Sequence, residues 1–161
     1  MSLTVGTNAY DTLANVRAYW DERGVAAWAS LTEVEGEILV RKATDWVDRN
    51  FSFIGDKATG PQRLKWPRKF AEVEGWELSS TEIPWQVEEA TALVADLYRL
   101  GTFDLEGIVT DDNAAISMQK VDVITVQYDT AKRLLGADIP SHVYELLRPV
   151  TRSTNAGLAR A

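Results

Sequence analysis

Two features have the spacing or chemistry of a catalytic site, and neither is complete. Gly55 and Gly60 are spaced like the glycines of a phosphate-binding loop. Pro61 and Gln62 then stand where that loop needs lysine and serine or threonine, so the match fails. The single histidine, His142, has no nucleophile motif around it. We therefore predict that the protein is not an enzyme and has no cofactor.

Two pairs of adjacent acids, Asp111-Asp112 and Glu88-Glu89, could in principle bind a hard cation. Adjacent acids on a loop or at a helix start are usually solvated, so we predict no metal site. The chain has no cysteine, which excludes a disulfide framework, a thiolate-bound metal and a thiol nucleophile. Its absence fits a reducing compartment.

A basic island with an aromatic residue at its centre is a candidate binding site. Its members are Arg63, Lys65, Trp66, Arg68 and Lys69. Positive charge beside an aromatic ring is how single-stranded nucleic acids are often held. Against this, the chain has 24 acids and 17 bases, a net charge of −7, so its average field repels polyanions. The alternative is that Trp66 packs on the core while the bases face water or neighbouring acids.

The C-terminal end is a second candidate binding segment. Val143, Leu146 and Leu147 are apolar, and the stretch after Pro149 is small, polar and basic. An apolar patch followed by a flexible basic end can become ordered on the surface of a partner. The alternative is a frayed terminus with no partner.

The composition is that of a folded protein, and the periodicity is mostly helical. The chain has 161 residues, 45% of them apolar, and six tryptophans, which favours one domain or two small ones. Apolar spacing, capping residues and helix-ending glycines predict four helices. These are Asn8–Arg23, one from the Thr32–Glu35 capping box to near Phe51, one from Pro84 to Gly101, and one over Ser141–Arg148.

Two segments are not predicted to be helical. Residues 55–84 are interrupted by glycine and proline, which indicates a long loop or short local structure pinned by Trp66 and Trp76. Residues 116–128 alternate as a long β-strand. No equally convincing second strand is evident, which leaves another chain as a candidate partner. No apolar run reaches the ~20 residues of a membrane span, and no secretory signal opens the chain, so we expect a soluble protein made inside the cell.

Several short stretches together resemble a known family. They are Asn8-Ala9-Tyr10 to Tyr19-Trp20, Lys42-Ala43-Thr44-Asp45-Trp46-Val47-Asp48, Gln62-Arg63-Leu64-Lys65-Trp66-Pro67-Arg68, Ile83-Pro84, Lys120-Val121 through Val126-Gln127-Tyr128, and Leu146-Leu147-Arg148-Pro149. In order and spacing they resemble the head–tail connector (adaptor) proteins of long-tailed bacteriophages. That family overlaps sequences labelled DnaT-like single-stranded-DNA-binding proteins. Asp122 departs from the pattern, because the family commonly has glycine there.

The resemblance implies a mainly α fold. It would be a small helical bundle over residues 1–140, with a long loop and an extended β arm at about 114–130, followed by a portal-docking segment over 141–161. The implied function is that of a structural virion protein in the phage neck, present in the host cytoplasm during assembly. Its copies would form a ring, a dodecamer, between the portal and the next neck or tail-completion (stopper) protein. Double-stranded DNA would pass through the lumen.

The resemblance also implies roles for particular residues. Portal docking would use Val143, Leu146, Leu147, Arg148 and Arg152. Contacts to other subunits or to the next ring would use Ile116, Met118, Lys120, Ile124, Val126 and Tyr128. The core would include Trp20, Trp46 and Trp66. Deleting residues 141–161 should then abolish portal binding and leave the fold intact.

Two other classes of function remain open. The first is a single-stranded-DNA-binding or primosome-like protein, which would use the basic island around Trp66. The second is a regulatory or toxin-partner protein that forms no ring and stays a monomer.

Overall fold

The computed structural model describes residues 2–101, 118–121, 124–127 and 141–152. Four α-helices lie in these ranges, so the predicted mainly α class is confirmed. They are α1 (Leu13–Asp21), α2 (Glu33–Asn50), α3 (Trp85–Leu100) and α4 (Ser141–Leu147). Short 3-10 turns cover Ala26–Trp28 and Arg148–Val150. Six short strands complete the described secondary structure: β1 (Asp56–Lys57), β2 (Arg68–Lys69), β3 (Glu72–Val73), β4 (Trp76–Glu77), β5 (Met118–Val121) and β6 (Ile124–Gln127).

The two long helices begin and end where the sequence predicts. The hydroxyl of Thr32 accepts the backbone N–H of Glu35, whose carboxylate accepts the N–H of Thr32, so the capping box that starts α2 is confirmed. Helix α3 follows Pro84 and ends at Gly101, which has a left-handed φ of 65°. α2 packs against α3, and α1 and α4 also contact α3, so the core lies among the four helices.

Helix α1 starts later than the prediction from Asn8. Thr12 caps it, and the hydroxyl of Thr12 accepts the N–H of Asn15. The preceding Tyr10 is fully buried, and its backbone N–H donates to the hydroxyl of Thr44 at 3.1 Å. A long-range contact to α2 therefore takes the place of the first predicted helical turn.

The segment before α3 contains short strands of its own. β1 pairs antiparallel with β2, and β3 pairs antiparallel with β4. Trp66 anchors the segment as predicted, because its side chain is fully buried. The same prediction is wrong for Trp76, which is 79% exposed.

The predicted long strand over residues 116–128 is a hairpin in the described part of the chain. β5 pairs antiparallel with β6, with Met118 opposite Gln127 and Val121 opposite Ile124. β6 supplies the strand partner of β5, so the partner expected from another chain lies within this chain. Positions 116 and 128, and the departure at 122, lie outside the described residues.

The C-terminal helix is part of the helical body. Val143, Leu147 and Val150 are fully buried, and α4 packs against α3. The chain then pairs with the end of α2: the N–H of Arg152 donates to the carbonyl of Ser52 at 2.8 Å. Residues 141–152 therefore pack on the helical body through these three side chains, and docking of the segment on a portal stays a prediction. Residues 153–161 lie outside the described part.

Candidate nucleic-acid interface

The basic island is held at the end of α2 by Asp48. The carboxylate of Asp48 accepts the backbone N–H of Lys65 at 2.7 Å, and it also accepts the hydroxyl of Tyr10. Burial, and then the hydrogen bond to Asp48, raise the pKa of Tyr10 well above its usual value. The tyrosine therefore stays protonated and continues to donate to Asp48.

Trp66, the centre of the island, belongs to the core. Its ring is fully buried and meets Phe53 edge-to-face, with ring centroids 5.7 Å apart. The predicted core role is confirmed for Trp66 and for Trp46, whereas Trp20 is half-buried and donates its indole N–H to the carbonyl of Ala92. A base cannot stack on a covered ring, so Trp66 packs on the core and does not serve the alternative role of nucleic-acid contact.

Arg68 is also structural. Its guanidinium donates to the carbonyls of Ile54 at 2.6 Å, Gly55 at 2.5 Å and Lys65 at 3.1 Å. The Arg68 side chain thus supplies hydrogen bonds to backbone carbonyls that the two-residue strands β1 and β2 leave without a strand partner. Burial, and then the field of Arg152, lower the pKa of Arg68.

The other bases of the island differ in their exposure and in whether a hydrogen bond holds their side chains to the backbone. The ammonium group of Lys65 donates to the carbonyl of Phe51 at 2.7 Å. Arg63 is exposed, and its guanidinium lies 3.8 Å from the carboxylate of Asp45. Lys69 is exposed on β2. Of the five predicted contact residues, Arg63 and Lys69 therefore face solvent without a hydrogen bond that holds them to the backbone.

Phe70 is an exposed aromatic residue beside these bases, and the sequence analysis missed it. Its side chain is 69% exposed, and its backbone has a left-handed φ of 58°. The ammonium group of Lys69 lies 5.7 Å from the centroid of its ring. The left-handed conformation costs an L-residue about 1–2 kcal/mol, and leaving the ring in water forgoes about 1.5–3 kcal/mol of burial. No periodicity marks such a residue in the sequence.

We name this face the basic surface and define it by Lys57, Arg63, Lys69 and Phe70. Lys57 lies on β1 and pairs with Arg68 on β2, while Asp56 pairs with Lys69. The ammonium group of Lys57 donates to the carbonyl of Gln62 at 3.1 Å, which brings it to the turn that carries Arg63. The surface combines three cations with one exposed ring, which is a composition suited to a short stretch of nucleic acid.

Comparison with known proteins assigns a family. The sequence model of the family described as "Putative DnaT-like ssDNA binding protein" matches residues 2–161. The chain belongs to this family. No curated protein and no solved structure matches the chain. The match agrees with the DnaT-like label in the resemblance above, and the comparisons lend no support to the connector label.

The residues assigned to portal docking fall into two groups in this DnaT-like protein. Val143 and Leu147 are fully buried within the chain, so they are not available to a portal. Leu146 is half-buried against the core, and Arg148 is exposed, 3.6 Å from Glu145. Arg152 is exposed, and its guanidinium donates to the carbonyl of Gly55 at 2.9 Å.

The residues assigned to subunit contacts map to the hairpin of the DnaT-like chain or flank it. Met118 and Lys120 lie on β5, and Ile124 and Val126 lie on β6. The remaining two, Ile116 and Tyr128, are outside the described residues.

The acids considered for metal binding are placed differently in the described structure. Glu89 accepts the hydroxyl of Tyr19 at 2.8 Å and lies 3.6 Å from Arg23. Burial, then the fields of Asp11 and Glu82, raise the pKa of Glu88. Within the described ranges no three metal-ligating side chains come together, and no helix is long and apolar enough to cross a membrane. Asp111-Asp112 lies outside those ranges, and His142 is exposed on α4.

Proposed function

We propose that the protein binds single-stranded DNA through the basic surface, with Phe70 stacking on a base. The observation that carries this proposal is Phe70 itself: an exposed ring held in a left-handed backbone conformation beside Lys69. Unfavourable backbone conformations concentrate at functional sites, and every base offers a face on which an aromatic ring can stack. Membership of the DnaT-like family supports the same assignment.

The charge distribution sets the expected strength of binding. Residues 57–78 carry five bases and three acids, within a chain of net charge −7. Acids beyond the basic surface repel phosphates, so contact is confined to a few nucleotides. We expect a dissociation constant on the order of 10⁻⁴–10⁻⁶ M near physiological salt, as for other binding dominated by phosphate contacts. Three cations on a single strand predict a slope of log K against log salt of about −2 or steeper.

Replacing Phe70 with alanine should weaken binding to a labelled thymidine oligonucleotide. The loss of one stacked ring removes about 1–3 kcal/mol, which is about 5-fold to 150-fold in the dissociation constant. Fluorescence anisotropy measures this change, and the salt slope should stay the same because no charge is removed.

Trp76→Ala is the matched control for Phe70→Ala. Trp76 is also an exposed aromatic of the same segment, but its neighbours Glu72, Glu74 and Glu77 repel phosphates. Its removal should leave oligonucleotide binding unchanged. Equal affinities for wild type and Phe70→Ala, or a loss caused by Trp76→Ala, would contradict the proposed stacking role.

A second candidate is the structural ring subunit implied by the connector resemblance, stacked on a portal in the phage neck. Large exposed side chains that are not part of the basic surface favour it: Trp76 is 79% exposed and Trp85, at the start of α3, is 61% exposed. An assembly of identical subunits is one way to cover such residues. The other partners would be a stopper protein and double-stranded DNA in the lumen.

Light scattering and electron microscopy of the purified protein, with and without portal rings, test the second candidate. A ring mass or a second ring stacked on the portal is the expected result. A particle that stays monomeric and leaves the portals undecorated would reject the connector function. Trp85→Ala should reduce assembly if that exposed side chain lies between subunits.

A further inference from the structure

Two arginines that are far apart in sequence donate to one backbone carbonyl. The guanidinium groups of Arg68 and Arg152 contact the oxygen of Gly55 at 2.5 Å and 2.9 Å, respectively. The position of this carbonyl requires glycine, because Gly55 has a φ of +70° and a Cβ there would lie 2.5 Å from the carbonyl of Lys69. Backbone pairing of Arg152 with Ser52 fixes the second arginine.

The pair concentrates positive charge that the protein does not neutralise by an ion pair. Within the described residues, neither guanidinium lies within 4.0 Å of a carboxylate. Burial, and then the field of Arg152, lower the pKa of Arg68, whereas the fields of Asp56, Tyr10 and Asp48 act in the opposite direction. Lys57 adds a third cation, since it pairs with Arg68 across the two short strands. An anion placed here would relieve this repulsion.

Both guanidinium groups keep unused donors. Arg68 has five N–H bonds and uses three of them on the carbonyls of Ile54, Gly55 and Lys65. Arg152 uses one of its five side-chain N–H bonds and is exposed. Arg68 is nearly covered, so Arg152 supplies most of the donors that a ligand would reach.

We propose that Arg68 and Arg152 form a binding site for a phosphate group at the edge of the basic surface. Guanidinium forks match the geometry of phosphate oxygens and hold them with charge-assisted hydrogen bonds. The assignment of that phosphate to the backbone of single-stranded DNA rests on the proposed function. Arg152 would then contact the phosphate, while Phe70 contacts a base. The hydrogen bond from Arg152 to Gly55 also links the C-terminal end of the described chain to the basic surface, across 97 residues of sequence.

The variant Arg152→Gln tests this site. Glutamine keeps a polar side chain at position 152, but the charge and the fork are lost. Sodium phosphate raises the melting temperature of proteins in general above that in sodium chloride of the same ionic strength, because phosphate is excluded from the protein surface. A specific site adds to this rise, so the rise should be larger in wild type than in Arg152→Gln. Arg23→Gln is the control, because it removes another exposed arginine, just after α1 and beside Glu89, and it should keep the wild-type rise.

A second measurement asks whether the phosphate belongs to DNA. Arg152→Gln should weaken oligonucleotide binding roughly tenfold, as expected for loss of a charge-assisted hydrogen bond. It should also reduce the salt slope by about 0.7, the contribution of one phosphate contact on a single strand. Arg152→Lys, which keeps the charge without the fork, should restore the slope and only part of the affinity.

The outcomes separate this inference from the proposed function. Stabilisation by phosphate that depends on Arg152, with no oligonucleotide binding at all, would support a site for free phosphate and reject the DNA function. Oligonucleotide binding that needs Phe70 but not Arg152, with the same rise in melting temperature by phosphate in wild type and Arg152→Gln, would support the DNA function and overturn the phosphate site.

Discussion

A chain that ends at Pro140 should fail to fold. It lacks α4 and the following 3-10 turn, which supply the fully buried side chains of Val143, Leu147 and Val150. Burial of each such side chain contributes about 1.5–3 kcal/mol, and a domain of this size has only about 5–15 kcal/mol of net stability. Circular dichroism and thermal melting should show the loss of a cooperative transition. This expectation replaces the sequence-based one, in which deletion of residues 141–161 spares the fold.

A chain that ends at Arg152 is the control for that truncation. It keeps the buried side chains of Val143, Leu147 and Val150 and the pairing of Arg152 with Ser52. Its melting temperature should therefore be close to that of the full chain. A cooperative, near-native transition in the chain that ends at Pro140 would show that α4 is dispensable and would contradict its place in the core.

Replacing Trp66 with alanine should destabilise the protein by about 3–5 kcal/mol, the usual loss when a large aromatic side chain is removed from a core. The side chain is fully buried, and its edge-to-face contact with Phe53 is lost along with the buried area. Urea denaturation followed by fluorescence or circular dichroism measures the change in the free energy of unfolding.

Trp76→Ala separates burial from tryptophan content. Trp76 lies ten residues from Trp66 in sequence but is 79% exposed, so its removal should change the free energy of unfolding by no more than about 0.5 kcal/mol. Similar losses in the two variants would mean that the segment does not pack as described. A small change in the free energy of unfolding for Trp66→Ala would mean that the ring is not buried in the core and could contact a ligand.

The helices could be predicted where their signals are local. The capping box at Thr32 and the terminal glycine at position 101 act within one turn of the helix, and both boundaries are confirmed. The start of α1 could not be predicted, because Tyr10 follows its long-range bonds to Thr44 and Asp48 instead of its helical periodicity. Tertiary contacts decided that boundary.

The sequence indicated where in the chain the candidate site lies, but not which of its side chains are exposed. Charge alone identified the basic island, but residue type does not say which side chains face inward. Trp66 and Arg68 are buried, while Phe70 is turned outward by a left-handed backbone. The hairpin was missed for a related reason: alternation in sequence indicates extended backbone and does not reveal a reversal within it.

The hydrogen bonds of Asp48 and Arg152 have a practical consequence for mapping experiments. The basic surface takes its shape from anchors at both ends of the chain: Asp48 on α2 holds the backbone of Lys65, and Arg152 holds Gly55. A synthetic peptide of residues 55–70 would lack both anchors and would sample unfolded conformations. Peptide arrays and proteolytic fragments would then report no binding even for a functional surface. Crosslinking or footprinting of the intact chain is the appropriate way to locate its ligands.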